Sequence, residues 1–138
     1  MDKKIKTELL TLCDHAMTSQ QGKLSVIGLF DRIFVTQLPS KYPRFFIVAI
    51  VSGKSGTSHE VELRVKTPTG KALLPKRSVS LKLGGNGKAN VLTDVANLTF
   101  EEVGEYTIEI VTDEDQVGST SFFVSKVVPK DQATQKKN

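Results

Sequence analysis

The segment LTLCDHAM (10–17) places three side chains that can do chemistry next to one another: Cys13, Asp14 and His15. A thiol and an imidazole can act as nucleophile and base if they meet within hydrogen-bonding distance. In a strand, however, Cys13 and His15 project in parallel from one face and Asp14 projects from the other. The other histidine, His59, is expected in a distant hairpin. We therefore predict no catalytic residue here, and we expect Cys13 to pack as a small hydrophobic side chain.

Metal binding is a second chemistry to consider. A zinc site uses about four Cys, His or carboxylate ligands, whereas the chain has one cysteine and two histidines. Calcium takes about six to eight oxygens, and carboxylates crowd positions 101–102 and 113–115. A strand between these clusters would separate them by more than about 20 Å. We expect no metal site, and Asp113 and Asp115 are the residues on which to test calcium.

Two glycine-rich loops, SGKSGTS (52–58) and GGNGK (84–88), have the composition of phosphate-binding loops. Neither has the spacing G-x-x-x-x-G-K-[ST], and neither leads into a predicted helix whose N-terminus could hold an anion. We therefore predict that both loops are hairpin turns, and we expect no cofactor.

Apolar residues recur with a period of two, which predicts strands rather than helices. In HEVELRVK (59–66) apolar and polar residues alternate strictly, which is typical of a strand with one buried and one solvent-exposed face. FFIVAIV (45–51) is apolar on both faces, which is typical of a central strand, and we predict a hairpin between these two segments. Similar segments along the chain predict an all-β sandwich of about seven to nine antiparallel strands.

The run LTFEEVGEYTI (98–108) carries the most specific structural signal. Its spacing resembles the immunoglobulin-superfamily pattern L-x-x-x-D-x-G-x-Y-x-C, with Gly104 and Tyr106 in place and Ile108 where the disulfide cysteine would stand. In that pattern the tyrosine ring packs under a turn and its hydroxyl bonds back to the backbone. The resemblance implies an immunoglobulin-like β-sandwich without a structural disulfide, in which Gly104 and Tyr106 have structural roles.

A second resemblance extends over most of residues 7–125. The segments LTLCDHA, GKLSVIGLFDRI and LPSKYPRFFIVA, followed by the Gly-x-Tyr corner, resemble a family of small bacterial and phage proteins known only as a domain of unknown function. The resemblance implies a bacterial or phage origin and a compact β-sandwich, and it supplies no catalytic residue.

Charge is divided unevenly along the chain. The net charge of +4 comes mainly from the ends, since seven lysines stand against two aspartates outside residues 7–125. Residues 41–88 carry ten basic and two acidic side chains, whereas 89–125 carry eight acidic side chains and no Lys or Arg. The two segments could be neighbouring strands that screen each other. They could instead form oppositely charged faces that orient a partner or a second copy of the chain.

Asp31 and Arg32 interrupt the apolar run GLFDRIFV, where unpaired charges would be costly to bury. They mark a strand edge or bulge, a salt bridge that fixes register, or a recognition site. The candidate interaction residues are Asp31, Arg32, Lys76, Arg77, Lys82, Asp113, Glu114 and Asp115.

By elimination, we predict a non-enzymatic immunoglobulin-like module of unknown biological role that acts through protein-protein interaction or self-association. The first alternative is a small-ligand or nucleotide-binding protein that uses segment 41–88. The second is a hydrolase built on Cys13, His15 or the acidic turns. We do not expect nucleic-acid binding, because the basic segment lacks interleaved aromatic residues on which bases could stack.

The expected organisation is a flexible N-terminus at 1–6, a single β-sandwich domain at 7–128 and a disordered basic tail at 129–138. The start MDKKIKTELLTL has no apolar signal-peptide region, and the longest wholly apolar run, FFIVAIV, is too short to cross a bilayer. We therefore expect a cytoplasmic protein with no membrane partner.

Overall fold

The alternation of apolar and polar side chains produces nine strands within residues 5–128, the part of the chain that this computed structural model describes. The strands are β1 (Ile5–Thr18), β2 (Leu24–Phe30), β3 (Arg32–Val35), β4 (Ser40–Gly53), β5 (Ser58–Lys66), β6 (Arg77–Lys82), β7 (Lys88–Phe100), β8 (Gly104–Thr112) and β9 (Asp115–Lys126). No helix that could span a membrane occurs within residues 5–128.

The start of β1 differs from the predicted flexible N-terminus at 1–6. Ile5 and Lys6 belong to β1 and pair with the end of β4, because the Ile5 side chain is buried in the core. Residues 1–4 and the predicted tail at 129–138 lie outside the described residues.

The strands form two sheets that pack as an immunoglobulin-like β-sandwich, which confirms the predicted fold class. One sheet has the order β2-β1-β4-β7 and the other the order β3-β9-β8-β5-β6. Neighbouring strands are antiparallel except for β3, which runs parallel to β9 along the edge of the five-stranded sheet. Both sheets contribute to the main core, which includes Phe45, Val51, Val65, Ile108 and Phe122.

The predicted hairpin between FFIVAIV and HEVELRVK is wrong, because β4 and β5 belong to different sheets. Both edges of β4 are occupied, one by β1 and the other by β7, so β5 pairs with β6 and β8 instead. The SGKSGTS and GGNGK loops therefore cross between the sheets and are not hairpin turns. They lie side by side, since the Leu83 N–H donates to the Thr57 carbonyl at 2.9 Å.

The predicted tyrosine corner forms at the start of β8. Tyr106 is fully buried, and its hydroxyl donates a hydrogen bond to the backbone carbonyl of Glu102 at 2.6 Å. The ring stacks on Phe122 with centroids 5.2 Å apart and meets Phe100 edge-on at 5.3 Å. One side chain thus joins the turn before β8 to the aromatic part of the core.

The Tyr106→Phe variant tests this corner. The ring contacts remain while the partly buried Glu102 carbonyl loses its donor, so we expect the free energy of unfolding to fall by about 0.5–1.5 kcal/mol in urea titration. Tyr42→Phe is the matched control, since its half-buried ring has no hydroxyl hydrogen bond within residues 5–128. Equal losses in the two variants would contradict a specific role for the Tyr106 hydroxyl.

Gly104 supplies the backbone conformation that the corner needs. Its φ is 129°, and a Cβ atom there would lie 3.0 Å from the Pro68 side chain. We expect Gly104→Ala to lower the free energy of unfolding by about 1–3 kcal/mol through backbone strain. Gly85→Ala is the control, because a Cβ atom at that position would have no neighbour within 4 Å, and it should change stability by less than about 0.5 kcal/mol. A tolerated Gly104→Ala would show that the turn can relax.

Candidate functional site

Cys13 is fully buried in β1 and has no arrangement for catalysis. Its thiol donates to the backbone carbonyl of His15, with Sγ 3.3 Å from that oxygen, and burial raises the pKa of the thiol. The His15 ring is turned to Phe46, which it meets edge-on with centroids 5.2 Å apart. The expectation that Cys13 packs as a small hydrophobic side chain agrees with this environment.

The cluster around Cys13 is separate from the main core. Its buried members are Cys13, Ala16, Phe46 and Val48, and Leu24, Val26 and Leu92 pack against it. Leu12 and Phe45, the neighbours of Cys13 and Phe46 along the chain, point into the main core. Because side chains alternate along a strand, Cys13, Phe46 and Val48 point to the outer side of the four-stranded sheet.

Asp31 and Arg32 lie where the chain passes from one sheet to the other. The Asp31 carbonyl accepts a hydrogen bond from the Phe123 N–H at 2.9 Å, and Arg32 begins the edge strand β3 opposite Phe123. These residues therefore lie at a strand edge, which is one of the alternatives that the sequence left open.

The other candidate interaction residues lie elsewhere. Arg77 and Lys82 begin and end β6 on the opposite edge of the same sheet, and the Nζ atom of Lys76 lies 3.9 Å from Glu62. Asp113 and Glu114 form the turn between β8 and β9, and Asp115 begins β9. The eight residues thus occupy two sheet edges and one end of the sandwich, and the structure does not bring them together.

The acidic clusters at 101–102 and 113–115 flank opposite ends of β8, as predicted. Among the residues the structure describes, no group of three or more His, Cys, Asp or Glu side chains could hold a metal ion.

The basic and acidic segments interleave in space. β4 pairs with β7 and β5 with β8, so in each sheet a strand from the basic segment 41–88 lies beside a strand from the acidic segment 89–125. Arg44 binds the Asp94 carboxylate through Nε at 2.9 Å and through a second nitrogen, which lowers the pKa of Asp94. Lys66 lies 3.5 Å from Glu109. The charge division along the sequence is therefore not a division into two faces.

A polar cleft of about 460 Å³ lies at the end of the sandwich where the β4-β5 loop meets the β8-β9 turn. Its lining consists of Lys54, Thr57, Ser58, His59, Glu60, Thr112 and Asp113. The Thr57 hydroxyl lies 2.8 Å from Nε2 of His59, and the Thr112 hydroxyl donates to the Glu60 carbonyl at 2.9 Å. These hydroxyls and the histidine ring are therefore already engaged by protein atoms.

An exposed apolar surface lies on the outer face of the five-stranded sheet. Ile33 and Val35 in β3 and Phe122 and Val124 in β9 point into the core. Alternation therefore turns the residues between them, Phe34 and Phe123, toward solvent. We call Phe34 and Phe123 the aromatic patch; they are 59% and 43% exposed, respectively.

Strand register fixes the surroundings of the aromatic patch. Phe123 lies opposite Arg32 on one side and opposite Glu105 on the other, so the three side chains form a row across β3, β9 and β8. Phe34, two residues after Arg32, lies opposite Ser125. Arg32 is among the candidate interaction residues that the sequence predicts, whereas the aromatic residues beside it, Phe34 and Phe123, are not. The signal was available in RIFV and SFFV, where one apolar residue stands between two core residues.

The environment of Cys13 predicts a thiol that does not react with thiol reagents in the folded protein. Because burial raises the pKa of the thiol, less of it ionises at a given pH than in an exposed cysteine, and burial blocks access as well. A chromogenic disulfide reagent should leave the native protein unlabelled over minutes and should titrate one thiol per chain in denaturing urea. Rapid labelling of the native protein at neutral pH would contradict the buried position.

The fold recurs in solved structures at low identity. A Listeria innocua β-glucosidase in complex with glucose matches with a TM-score of 0.52 and 9% identity, over 90% of this chain and 16% of that one. The Pseudomonas fluorescens alkylpurine DNA glycosylase AlkC, bound to DNA containing an abasic site analogue, gives 0.50 and 10%, over 88% and 30%. An immunoglobulin-like protein from Pseudomonas aeruginosa gives 0.46 and 15%, over 88% and 97%.

These likenesses show the fold alone, and the chain spans less than a third of the glycosylase and of the β-glucosidase. No curated protein sequence matches the chain. The model of a family of unknown function, DUF6941, matches residues 8–125, which confirms the predicted resemblance to a domain of unknown function. Since that match covers most of the chain, the protein belongs to the DUF6941 family.

Proposed function

We propose that the domain is a non-catalytic binding module that contacts another protein through the aromatic patch. The observation that carries the proposal is the exposure of Phe34 and Phe123 on one face of a sheet, 59% and 43% respectively. Burying an exposed phenylalanine contributes up to about 1.5–3 kcal/mol. Aromatic residues and arginine are also enriched in protein interfaces.

The composition around the patch supports a specific contact. Arg32 and Glu105 flank Phe123, so the apolar centre has a charged border of both signs. In interfaces such charges orient the partner, while the apolar centre supplies most of the affinity.

A second exposed apolar group lies on β2, where Ile27 and Leu29 are 58% and 64% exposed. These side chains stand on either side of Gly28, which has a φ of 73°. Such irregular backbone in an edge strand hinders pairing with another chain. For this reason we prefer the aromatic patch.

Catalysis receives no support from the residues that could carry it. Cys13 is buried, and its thiol bonds to a backbone carbonyl. His59 is engaged with Thr57 in the polar cleft. The alternative function, small-ligand or nucleotide binding, has two possible places. Of the basic side chains of segment 41–88 only Lys54 lines the polar cleft. A smaller pocket of about 230 Å³ is lined by Arg64, Lys66 and Lys76, but each of these lies beside a carboxylate of the chain. A cytoplasmic location remains a prediction from the sequence.

A photo-cross-linking residue tests the proposal. Benzoyl-phenylalanine replaces Phe34 in the full chain, and the cells that produce the protein are irradiated. We expect a discrete adduct of higher mass on a denaturing gel, because the patch is occupied by a partner. The same residue in place of Leu29, which is 64% exposed on the other sheet, is the control and should give no such adduct.

A Phe123→Ser substitution in the Phe34 cross-linking chain should remove the adduct, since it deletes the centre of the patch. An adduct that persists in this variant, or that forms equally from position 29, would contradict binding at the aromatic patch.

A further inference from the structure

Two unpaired charges stand on the outer face of the five-stranded sheet. Several other charged side chains on this face pair within the chain, as Arg64 does with Glu62 at 2.7 Å and Lys66 with Glu109 at 3.5 Å. Arg32 and Glu105 are exposed, and neither has an ion-pair partner within residues 5–128. They lie one strand away from Phe123 on either side, and thus about 10 Å apart.

This row of a cation, an aromatic ring and an anion is complementary to itself. A two-fold axis that runs along β9 and passes in front of Phe123 exchanges the two sides of the row. It places Arg32 of one copy opposite Glu105 of the other, twice by symmetry, and Phe123 opposite Phe123. An axis that runs across the strands would instead place Arg32 against Arg32. The charges therefore select the first arrangement.

Phe34, the other member of the aromatic patch, lies opposite Ser125 and is therefore displaced from this row along β9. Because β8 is antiparallel to β9 and begins at Gly104 opposite Val124, the two-fold axis along β9 places Phe34 of one copy near the start of β8 of the other copy.

We infer that the partner on the aromatic patch is a second copy of the chain, packed face to face in an isologous dimer; this inference rests on the proposed function. Each residue in such an interface meets its complement twice, so a self-complementary row favours a like partner. The two outer sheet faces pack with nearly aligned strands, as sheets do when their inner faces form a sandwich.

Charge exchange between the two flanking positions tests the arrangement. Sedimentation velocity of the purified full chain should show a concentration-dependent dimer. Arg32→Glu and Glu105→Arg each place like charges at both symmetric contacts, so each should raise the dissociation constant at least roughly tenfold. The Arg32→Glu/Glu105→Arg double variant restores opposite charges at both contacts and should dimerise like the natural chain.

A mixture of the two single variants adds a stricter test. In a heterodimer, the carboxylate introduced by Arg32→Glu meets the guanidinium introduced by Glu105→Arg, and the unchanged Arg32 and Glu105 meet at the second contact. Mixing should therefore recover the dimer that each variant alone has lost. Lys82→Glu is the matched control, because this exposed lysine lies on the far edge strand β6 and should leave dimerisation unchanged.

Several outcomes would overturn the inference. A natural chain that stays monomeric up to roughly 100 µM, or a dimer that does not respond to the charge exchange, excludes this pairing. If the Phe34 adduct then contains a different protein, the proposed function stands and only the identity of the partner is wrong. If no adduct forms either, both proposals fail.

Discussion

The hydrogen bond from the Tyr106 hydroxyl to the Glu102 carbonyl fixes the point at which β8 begins. β8 is the middle strand of the five-stranded sheet, and it pairs with β9 on one side and with β5 on the other. A shift of one residue in its register would turn the core side chains outward, because neighbouring residues face opposite sides. The corner thus keeps Ile108 in the core and Glu105 opposite Phe123, and the composition of the aromatic patch depends on it.

The local part of the fold could be predicted from the sequence, and the pairing of distant strands could not. Alternation located the HEVELRVK strand, and the spacing of Gly104 and Tyr106 located the corner, because both signals depend on near neighbours. The path between β4 and β5 depends on β1 and β7, which occupy both edges of β4. A loop such as SGKSGTS has the same composition whether it closes a hairpin or crosses between sheets.

The candidate site was predictable only in part for a related reason. Charged residues in an apolar run attract notice, and Arg32 was selected on that ground. The exposure of Phe34 and Phe123 could not be predicted, because an apolar residue in a strand is expected to be buried until the neighbouring strands are known. The division of charge between segments 41–88 and 89–125 left open whether the two segments are neighbouring strands or separate faces. Strands that are far apart in sequence, such as β4 and β7, became neighbours whose charges pair.

The turn between β8 and β9 places two acidic residues in a backbone conformation that other residue types adopt more easily. Asp113 and Glu114 have φ values of 51° and 68°, a conformation that two-residue hairpin turns usually assign to asparagine and glycine. An Asn-Gly pair would adopt this turn with less strain, yet the chain places two carboxylates there, one of them lining the polar cleft. Proteins commonly retain suboptimal local choices while overall stability stays above the threshold for folding. This turn is therefore a place where the sequence could gain stability without altering the core.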